Sequence, residues 1–557
     1  MSRKMSRRGF LQGAVMAAGA AAIVACRPEP TATPKEAAPE ATTVPTQPAA
    51  EPVKEVVEIV VSRGEHASQP ILQNAPARVA QGDAVGVKII MQPVPGDDFG
   101  DKLNVWMATG QVPDIVRAGF TQIRDFADPD VFKPVLPLID AHGPNLTKFL
   151  GAHPDVVGKL HMNDDLFILP SVSYNTKLLA PSPCIRKDFL EELDLPFPTT
   201  FDELYETLKE IKKAKPDCLG YTHRNGIKRL FMILAYPYGT GLGGWMRGMH
   251  VPYWEPEENK WVYGPIRPEF KGVLEYVAKL YEEGLMDPDI ATATSDHWHE
   301  RNSTDRAAFS WDNFSFCVRW NIALREVNPE AAWTPFPVIA GAKGARQNDY
   351  SGFAGSGGGW CLGAGCKHPD RAIELMDFKV TPEGLDLSSW GIQNTHYTLE
   401  GNRPGSIEDY STENLERVMD SGQRAINPDV WEEYSKRADP FRSYQSDTGT
   451  GQLDFAVLWD DAVIYSWDEP GEMDGWYEMS TNDPGLHPEV MVPSFTPEEV
   501  DRLSKIQTDV NTAIDPAIDG VVLGTVSLAD FDKAVQDAIR AGAEELADIY
   551  NEAEARA

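Results

Sequence analysis

Cysteine is scarce, six in 557 residues, and no C-x-x-C pair occurs, so the cysteines offer no spacing of a structural metal site. Positive charge is short as well. Against 51 Lys and Arg stand 84 Asp and Glu, a formal net charge of −33, which would repel a phosphate backbone and excludes nucleic acid as a partner. No G-x-S-x-G motif is present, which removes one route to a serine hydrolase. No unit repeats along the chain, so a solenoid is excluded. Hydrophobic residues make up 42% and charged residues 24%, with mean hydropathy −0.34, so neither a polytopic membrane protein nor a disordered chain fits. At roughly 150 residues per domain the length allows about three or four such units. Tryptophan, in contrast, is plentiful at 14; most of these read as core, and a few as flat faces for an apolar-sided ligand.

The N-terminus reads as an export signal. Arg3, Lys4, Arg7 and Arg8 precede a small-residue apolar run from Ala14 to Ala25, too short to span a membrane as a stable helix. Ser6-Arg7-Arg8-Gly9-Phe10-Leu11 looks like a twin-arginine motif, and Ile23-Val24-Ala25-Cys26 resembles a lipoprotein lipobox, with Cys26 the lipidated residue. Residues 1–26 are therefore expected to be the signal and lipidation site. The first 25 residues hold four basic groups and no acid, so the formal charge of −33 becomes −37 without them. Residues 27–55 read as a tether: 22 of its first 26 positions are Pro, Ala, Thr or Glu, a composition that cannot bury a core. Such a chain would hold the body on the order of 25–30 Å from a membrane.

The body begins with two β-branched runs of strand length, Val56 to Ser62 and Gly86 to Gln92, separated by enough chain for a helix. Phe99, Leu103, Trp106 and Met107 share a helical face that Gly110 stops, and Pro113 to Val116 returns as a strand. This alternation predicts a parallel α/β sheet. Thr200 with Glu203 predicts a capping box before Leu204, Leu208 and Ile211. Arg267 opens a helix buried through Phe270, Val273, Leu274, Val277 and Leu280 and stopped at Gly284. A last helix is expected from Ser527 to Ala553, burying Leu528, Phe531, Val535, Ile539, Leu546 and Ile549. Of the remaining cysteines, Cys184, Cys218, Cys317, Cys361 and Cys366, the tempting pair is Cys361 with Cys366. A strand from Trp360 to Ala364 would hold these two about 16 Å apart, beyond disulfide reach. Buried small hydrophobes are the better reading.

Several motifs invite chemistry and then fail on context. Gly239-Thr240-Gly241-Leu242-Gly243-Gly244 fits G-x-G-x-x-G, but Pro237 precedes it and no amphipathic helix follows, so a surface or cleft loop is expected rather than a dinucleotide cradle. The Gly355-to-Gly359 run has no phosphate-loop Lys and reads as a hinge or a close backbone approach. His297-Trp298-His299-Glu300 offers a histidine pair at i, i+2 with no locatable third ligand, so an exposed polar loop is expected and no metal. Carboxylate pairs for glycoside hydrolysis cannot be picked out among 84 acids.

The motifs resemble, from about residue 56 to the C-terminus, the large extracellular solute-binding proteins of bacterial ABC importers (family 1), in the LipO-like group of sugar-binding lipoproteins. The resemblance rests on Trp106-Met107-Ala108-Thr109-Gly110-Gln111-Val112-Pro113-Asp114-Ile115-Val116, on Ile139 through Leu146 with its Gly143-Pro144-Asn145, and most specifically on Ile185-Arg186-Lys187-Asp188-Phe189-Leu190 with Pro198-Thr199-Thr200-Phe201-Asp202-Glu203-Leu204. Tyr281 through Pro288, Lys367 through Ala372, and Asp530 through Ala553 complete it. It implies an α/β, two-lobed periplasmic-binding-protein-like fold (type II-like), helix-rich, with a ligand cleft between the lobes. The expected divisions are 56–180 for the first part of the N-terminal lobe, 181–390 for mainly the C-terminal lobe, and 391–557 for crossing segments and C-terminal helices shared between lobes.

The implied function is capture of a carbohydrate, an oligosaccharide, and its delivery to ABC transporter permease subunits. The expected protein is an exported monomer held to the membrane through its lipid alone and facing the extracellular or periplasmic side. No catalysis and no cofactor are expected. The alternative is an exported polysaccharide lyase or glycosidase. Where the family often carries an acidic calcium-like loop, this chain reads Lys213-Ala214-Lys215-Pro216-Asp217-Cys218, so no calcium is expected there. A sugar cleft needs aromatic faces and planar polar groups on loops leaving the C-terminal ends of strands. On that basis the ligand-contact candidates are Arg63, Glu65 and His66 after the first strand, Arg117, Trp245 in a Gly-rich loop, and Trp311, Asp312 and Asn313 after a short strand from Ala307 to Ser310. Trp360, Trp390 and His396 join them.

Overall fold

The computed structural model describes residues 55–66, 69–119, 123, 126–162, 165–170, 181–244, 248–314, 316–349, 359–400, 424–437, 440–451, 476, 483–488, 490 and 492–556. The signal, Cys26 and all of the tether but its last residue lie outside the described residues. Along the chain come β1 (Val57–Ser62), α1 (Pro76–Val85), β2 (Val87–Met91), α2 (Gly96–Thr109), β3 (Ile115–Ala118), α3 (Pro144–Gly151) and β4 (Leu169–Pro170). They are followed by β5 (Pro181–Arg186), α4 (Phe201–Ala214), β6 (Tyr221–Thr222), α5 (Pro268–Glu282), α6 (Ser295–Asn302), β7 (Phe309–Asn313), α7 (Phe316–Arg325) and β8 (Trp333–Pro335). Then come β9 (Gly359–Leu362), α8 (Pro369–Lys379), α9 (Pro382–Ser389), α10 (Pro440–Thr448), α11 (Pro497–Val522), α12 (Leu528–Ala541) and α13 (Ala543–Glu554).

The first lobe is a five-stranded sheet in the order β2-β1-β3-β9-β4. β1 runs parallel to β2, from Val57 against Val87 to Val61 against Met91, and parallel to β3. β9 is antiparallel to β3 and β4. Period-2 alternation buries Ile59 and Val61 and turns Glu58 outward, where Lys88 meets it across the strands at 2.7 Å. On α2, Leu103, Trp106 and Met107 form the buried stripe, and Gly110 at φ 66° closes the helix with its N–H on the carbonyls of Met107 and Trp106.

The second lobe is a four-stranded sheet in the order β8-β5-β7-β6, with β7 antiparallel to β5 and parallel to β6. It divides two cores. Ile185, Phe309 and Trp311 face a large core with α4, α5 and the C-terminal helices, while Cys184 faces an aromatic core of Trp298, Phe316, Trp320 and Trp333. Ser310 and Asp312 fall on the same side as that aromatic core; the Trp298 indole donates to Ser310 Oγ at 3.0 Å. The fold is α/β and two-lobed, as expected.

Several expectations need correction. The strand expected to end at Ser310 continues to Asn313, so Trp311, Asp312 and Asn313 lie in it rather than after it. His297 to Glu300 is part of α6, not a loop: helical spacing exposes His297 and buries Trp298 and His299. Of the surface or cleft loop expected at Gly239 to Gly244, the surface reading is corrected: the segment is buried, packed so closely that a side chain at Gly241 would run into the Tyr253 ring. Thr200 caps α4 through Glu203 N–H, but the Glu203 carboxylate turns to the N–H and hydroxyl of Thr199, 2.7 Å each, leaving the box non-reciprocal. The single last helix is two, broken at Gly542, φ 108°. Ile539 is only half-buried; Ala534 and Ala538 take the inner face. Within 181–390, β9, α8 and α9 return to the first lobe, contributing Trp360, Ala372, Ile373, Leu375, Met376 and Leu385 to its core. Within 391–557, α11 to α13 pack into the core of the second lobe. The five cysteines past Cys26 are all free and buried, with burial holding the Cys366 thiol up at about 12.

Candidate functional site

Three strand ends and three helices converge on one group of side chains. From the first lobe comes His66, one residue beyond the short Gly64–Glu65 strand after β1. From the second lobe come His223 and Arg224, directly after β6, then Asp312 and Asn313 at the end of β7, His299 on α6, and Phe316 and Arg319 on α7. Arg442 arrives on α10, which is held to the first lobe by Ser446 Oγ on Pro70 O at 2.5 Å and by Gln69 Nε2 on Gln445 Oε1 at 2.6 Å.

Arg224 and Asp312 form a bidentate pair with both N–O distances at 2.8 Å. Burial by itself would push the Asp312 carboxyl up, but the Arg224 charge and hydrogen bonds, with Arg229 and the Asn313 N–H, carry it below its usual value. The Arg224 guanidinium carbon lies 4.7 Å from the Trp298 ring centre and 5.2 Å from that of Phe316. Arg442 lies 5.6 Å from Phe316 on its own account. Phe316 also meets the His299 ring at 4.9 Å, edge-on.

His66 and His299 make the link between lobes, their ring centres 6.3 Å apart and T-shaped. The Trp320 indole donates to His299 Nδ1 at 3.1 Å, which assigns the proton of the neutral ring to Nε2. His66 is held neutral down to about 3, first by burial and then by the charges of Arg442, Arg319 and Arg224. His299 is depressed further by burial and the same three guanidiniums, with His66 added. His223 is fully buried and neutral to about 3 for a similar reason, burial followed by Arg229. Among the described residues no group of three His, Cys, Asp or Glu side chains is placed to hold a metal ion.

The expected ligand contacts are distributed unevenly. His66, Asp312 and Asn313 are in this cluster, and Arg63 borders it, with its guanidinium on Gly64 O at 3.1 Å and Gly451 O at 3.4 Å. Glu65 accepts the Ile71 N–H at 2.8 Å, bracing its own loop. Arg117 is half-buried, opposite Trp360 in the β3–β9 register. The three described tryptophans of the set are fully buried and belong to packing. Trp311 stacks on Phe201 at 6.2 Å and donates to Gln347 Oε1 at 2.9 Å. Trp360 sits in the first-lobe core, and Trp390 packs with Tyr397, Ile426, Tyr434 and Tyr444. His396 lies beside that small cluster, accepting the Ile392 N–H at 2.9 Å and meeting Tyr444 edge-on. Trp245 lies outside the described residues.

Arg224, His299, Phe316, Arg319 and Arg442 were not among the expected contacts. His299 stood in a motif read as a loop, Arg224 follows a strand of two residues, and nothing in the local pattern marks Arg319 or Arg442.

Residues 67–385 match the family described as bacterial extracellular solute-binding protein. The chain is similar to Lipoprotein LipO of Bacillus subtilis (strain 168), 25% identical over 295 residues, 50% of this chain and 55% of LipO. It is also similar to the polygalacturonan/rhamnogalacturonan-binding protein YtcQ of the same organism, 27% identical over 231 residues, 38% of this chain and 42% of YtcQ. The chain spans about half the length of the curated relatives it matches. Among solved structures it is similar to alginate-binding protein AlgQ2 without calcium ion, at TM-score 0.73 and 20% identity, covering 90% of this chain and 99% of that one. The Streptococcus pneumoniae FusA EF-hand mutant in complex with fructo-nystose follows at TM-score 0.64 and 18% identity, covering 90% and 100%. Two sheet-bearing lobes facing one another across His66 and His299, over a match that takes in more than half the sequence, place the chain in the bacterial extracellular solute-binding protein family.

Proposed function

We propose that this protein is an exported lipoprotein, anchored through Cys26, that captures an oligosaccharide between its two lobes and presents it to the permease of an ABC transporter without altering it. The observation that carries this reading is the mixed origin of the cluster: His66 from one lobe and His299, Arg224 and Phe316 from the other lie within one ligand's reach. A solute touching both lobes favours the closed arrangement over the open one by its contacts to both, which is how a binding protein signals occupancy. The relatives support the ligand class, since YtcQ and FusA carry polysaccharide and fructooligosaccharide binding in their names. Asp312 supports the absence of catalysis: both its oxygens are taken by Arg224, so it is poorly suited to proton transfer.

Calorimetry against a glycan panel, with product analysis of each mixture, tests this reading. Saturable binding with the glycan recovered intact is expected. Cleavage of a glycosidic bond would make the protein a carbohydrate-active enzyme instead. For the anchor, a Cys26→Ser variant should move from the membrane fraction to the soluble fraction, and a variant that stays membrane-bound would refute lipidation at that residue.

A further inference from the structure

His299 has one ring nitrogen committed and one not. Trp298, Phe316 and Trp320 flank its ring within the second lobe, at 4.7, 4.9 and 6.3 Å between ring centres. The fully buried Trp320 indole donates to His299 Nδ1 at 3.1 Å. An indole N–H can only donate, so Nδ1 must accept and the proton of the neutral ring is on Nε2. Burial opposes a second proton. The helix that carries His299 is pinned in the same way: Trp298 on α6 donates to Ser310 Oγ on β7 at 3.0 Å, and Trp333 on β8 donates to Asn302 O at the end of α6 at 2.9 Å. Three indole N–H groups thus fix α6 against its neighbours, and one of them sets the tautomer of His299.

The other nitrogen has no such match. His299 is 4% exposed, and Nε2 has no hydrogen-bond partner among the described residues. Arg224, whose guanidinium lies 4.7 Å from the Trp298 ring centre and 5.2 Å from that of Phe316, carries donors alone and cannot serve it. The carboxylate of the cluster, Asp312, gives both its oxygens to Arg224. A buried donor is costly unless water or a ligand supplies an acceptor. The two nitrogens of an imidazole point away from one another, so with Nδ1 turned into the aromatic core Nε2 is turned out of it. Beyond that core the ring meets His66 of the first lobe, edge-on at 6.3 Å.

We propose that His299 donates from Nε2 to an acceptor oxygen of the bound saccharide, and that Trp320 is the positioning residue that makes this histidine a donor and nothing else. This rests on the oligosaccharide-capture reading above and adds how one polar group of the solute is recognised. The N–H stands where the lobes meet, so it is open to solute while they are apart and sealed from water when His66 closes over it. A hydroxyl and a carboxylate oxygen would serve alike, and neutral and acidic probes separate them.

Nitrogen-15 NMR of the full-length, histidine-labelled protein reads the tautomer directly, with His299 assigned by the signal lost in His299→Gln. The expected ring at pH 7 has an unprotonated Nδ1 and a protonated Nε2, and Trp320→Phe should release it from that single form. A proton on Nδ1, or on both nitrogens, overturns the proposal. Calorimetry then uses three probes: a neutral fructooligosaccharide, an oligogalacturonate and an oligomannose glycan. The probe that binds should shift the Nε2 signal of His299 in the wild-type protein, a readout that survives if a variant folds poorly. His299→Phe should weaken that probe by about tenfold or more, His299→Gln, which keeps a side-chain N–H, should recover most of the loss, and Trp320→Phe should weaken it by a smaller factor. A bound probe that leaves the His299 signal unmoved and binds His299→Phe as tightly overturns the assignment while leaving carbohydrate capture standing. Binding of no probe at all overturns both.

Discussion

Arg224 and Asp312 show how the site and the fold share a residue. Asp312 has almost no exposed surface, and a carboxylate there is tolerable because a guanidinium meets it with two hydrogen bonds. Asp312→Ala would strand Arg224 between Trp298 and Phe316. Removing one member of such a pair costs about 3–5 kcal/mol, so urea unfolding should show a loss in that range, whereas a loss under about 1 kcal/mol would mean the pair behaves as a surface bridge. The histidines give a second residue-scale prediction. His66 and His223 have ordinary values of 6.5 and are held near 3 in the folded protein, each by burial first. Between those limits the unfolded chain binds protons that the folded chain refuses, so stability declines as pH falls below about 6.5. The urea midpoint should drop between about pH 7 and about pH 5, a window above the carboxylate range; an unchanged or rising midpoint would contradict buried neutral imidazoles.

The Gly143-Pro144-Asn145 segment acquires a mechanism from the element scale. Pro144 opens α3, and the free N–H groups of its first turn are capped from a distance. Asp377 on α8 accepts from Asn145 N–H at 2.7 Å, Asn145 Nδ2 at 2.8 Å and Leu146 N–H at 2.8 Å. A side chain at Gly143 would press on Ile139 O at 3.2 Å. Asp377→Ala removes the acceptor for all three and should cost about 1–3 kcal/mol in chemical denaturation; a neutral effect would show that water replaces the carboxylate. Elements with a strong period were legible in the sequence. β1, β2, α2 and α5 were readable because Ile59 and Val61, or Phe270, Val273, Leu274, Val277 and Leu280, recur at the spacing their element imposes. β6, at two residues, has no period to read, and with it Arg224 was missed. α6 carries polar residues on most of its surface, so His299 looked like loop. Trp311 was misplaced by extending a loop where the strand runs on: one more alternation turned its ring into the core. Around Trp390 the logic is packing rather than ligand contact. Gly391 at φ 89° lies so close to His396 that a Cβ would sit 2.5 Å from Nδ1, which fixes the glycine without any ligand.

Over the whole molecule, charge is partitioned. The chain is acidic by 33 formal charges, and around His66 and His299 stand Arg224, Arg319 and Arg442 with the carboxylate of Asp312, which Arg224 holds. The two lobes and the return of β9, α8 and α9 to the first of them give a body in which contacts from both sides reach a single cluster. Arg442 belongs to this scale too, since its helix α10 is bonded to the first lobe while its guanidinium faces Phe316 of the second.

A crystal structure of the protein soaked with an oligosaccharide that binds in calorimetry tests the central claim most directly. The account predicts an intact glycan between the lobes, touching His66 on one side and His299 and Phe316 on the other. Glycan bound to one lobe alone, or a cleaved glycan at the cluster, would contradict it.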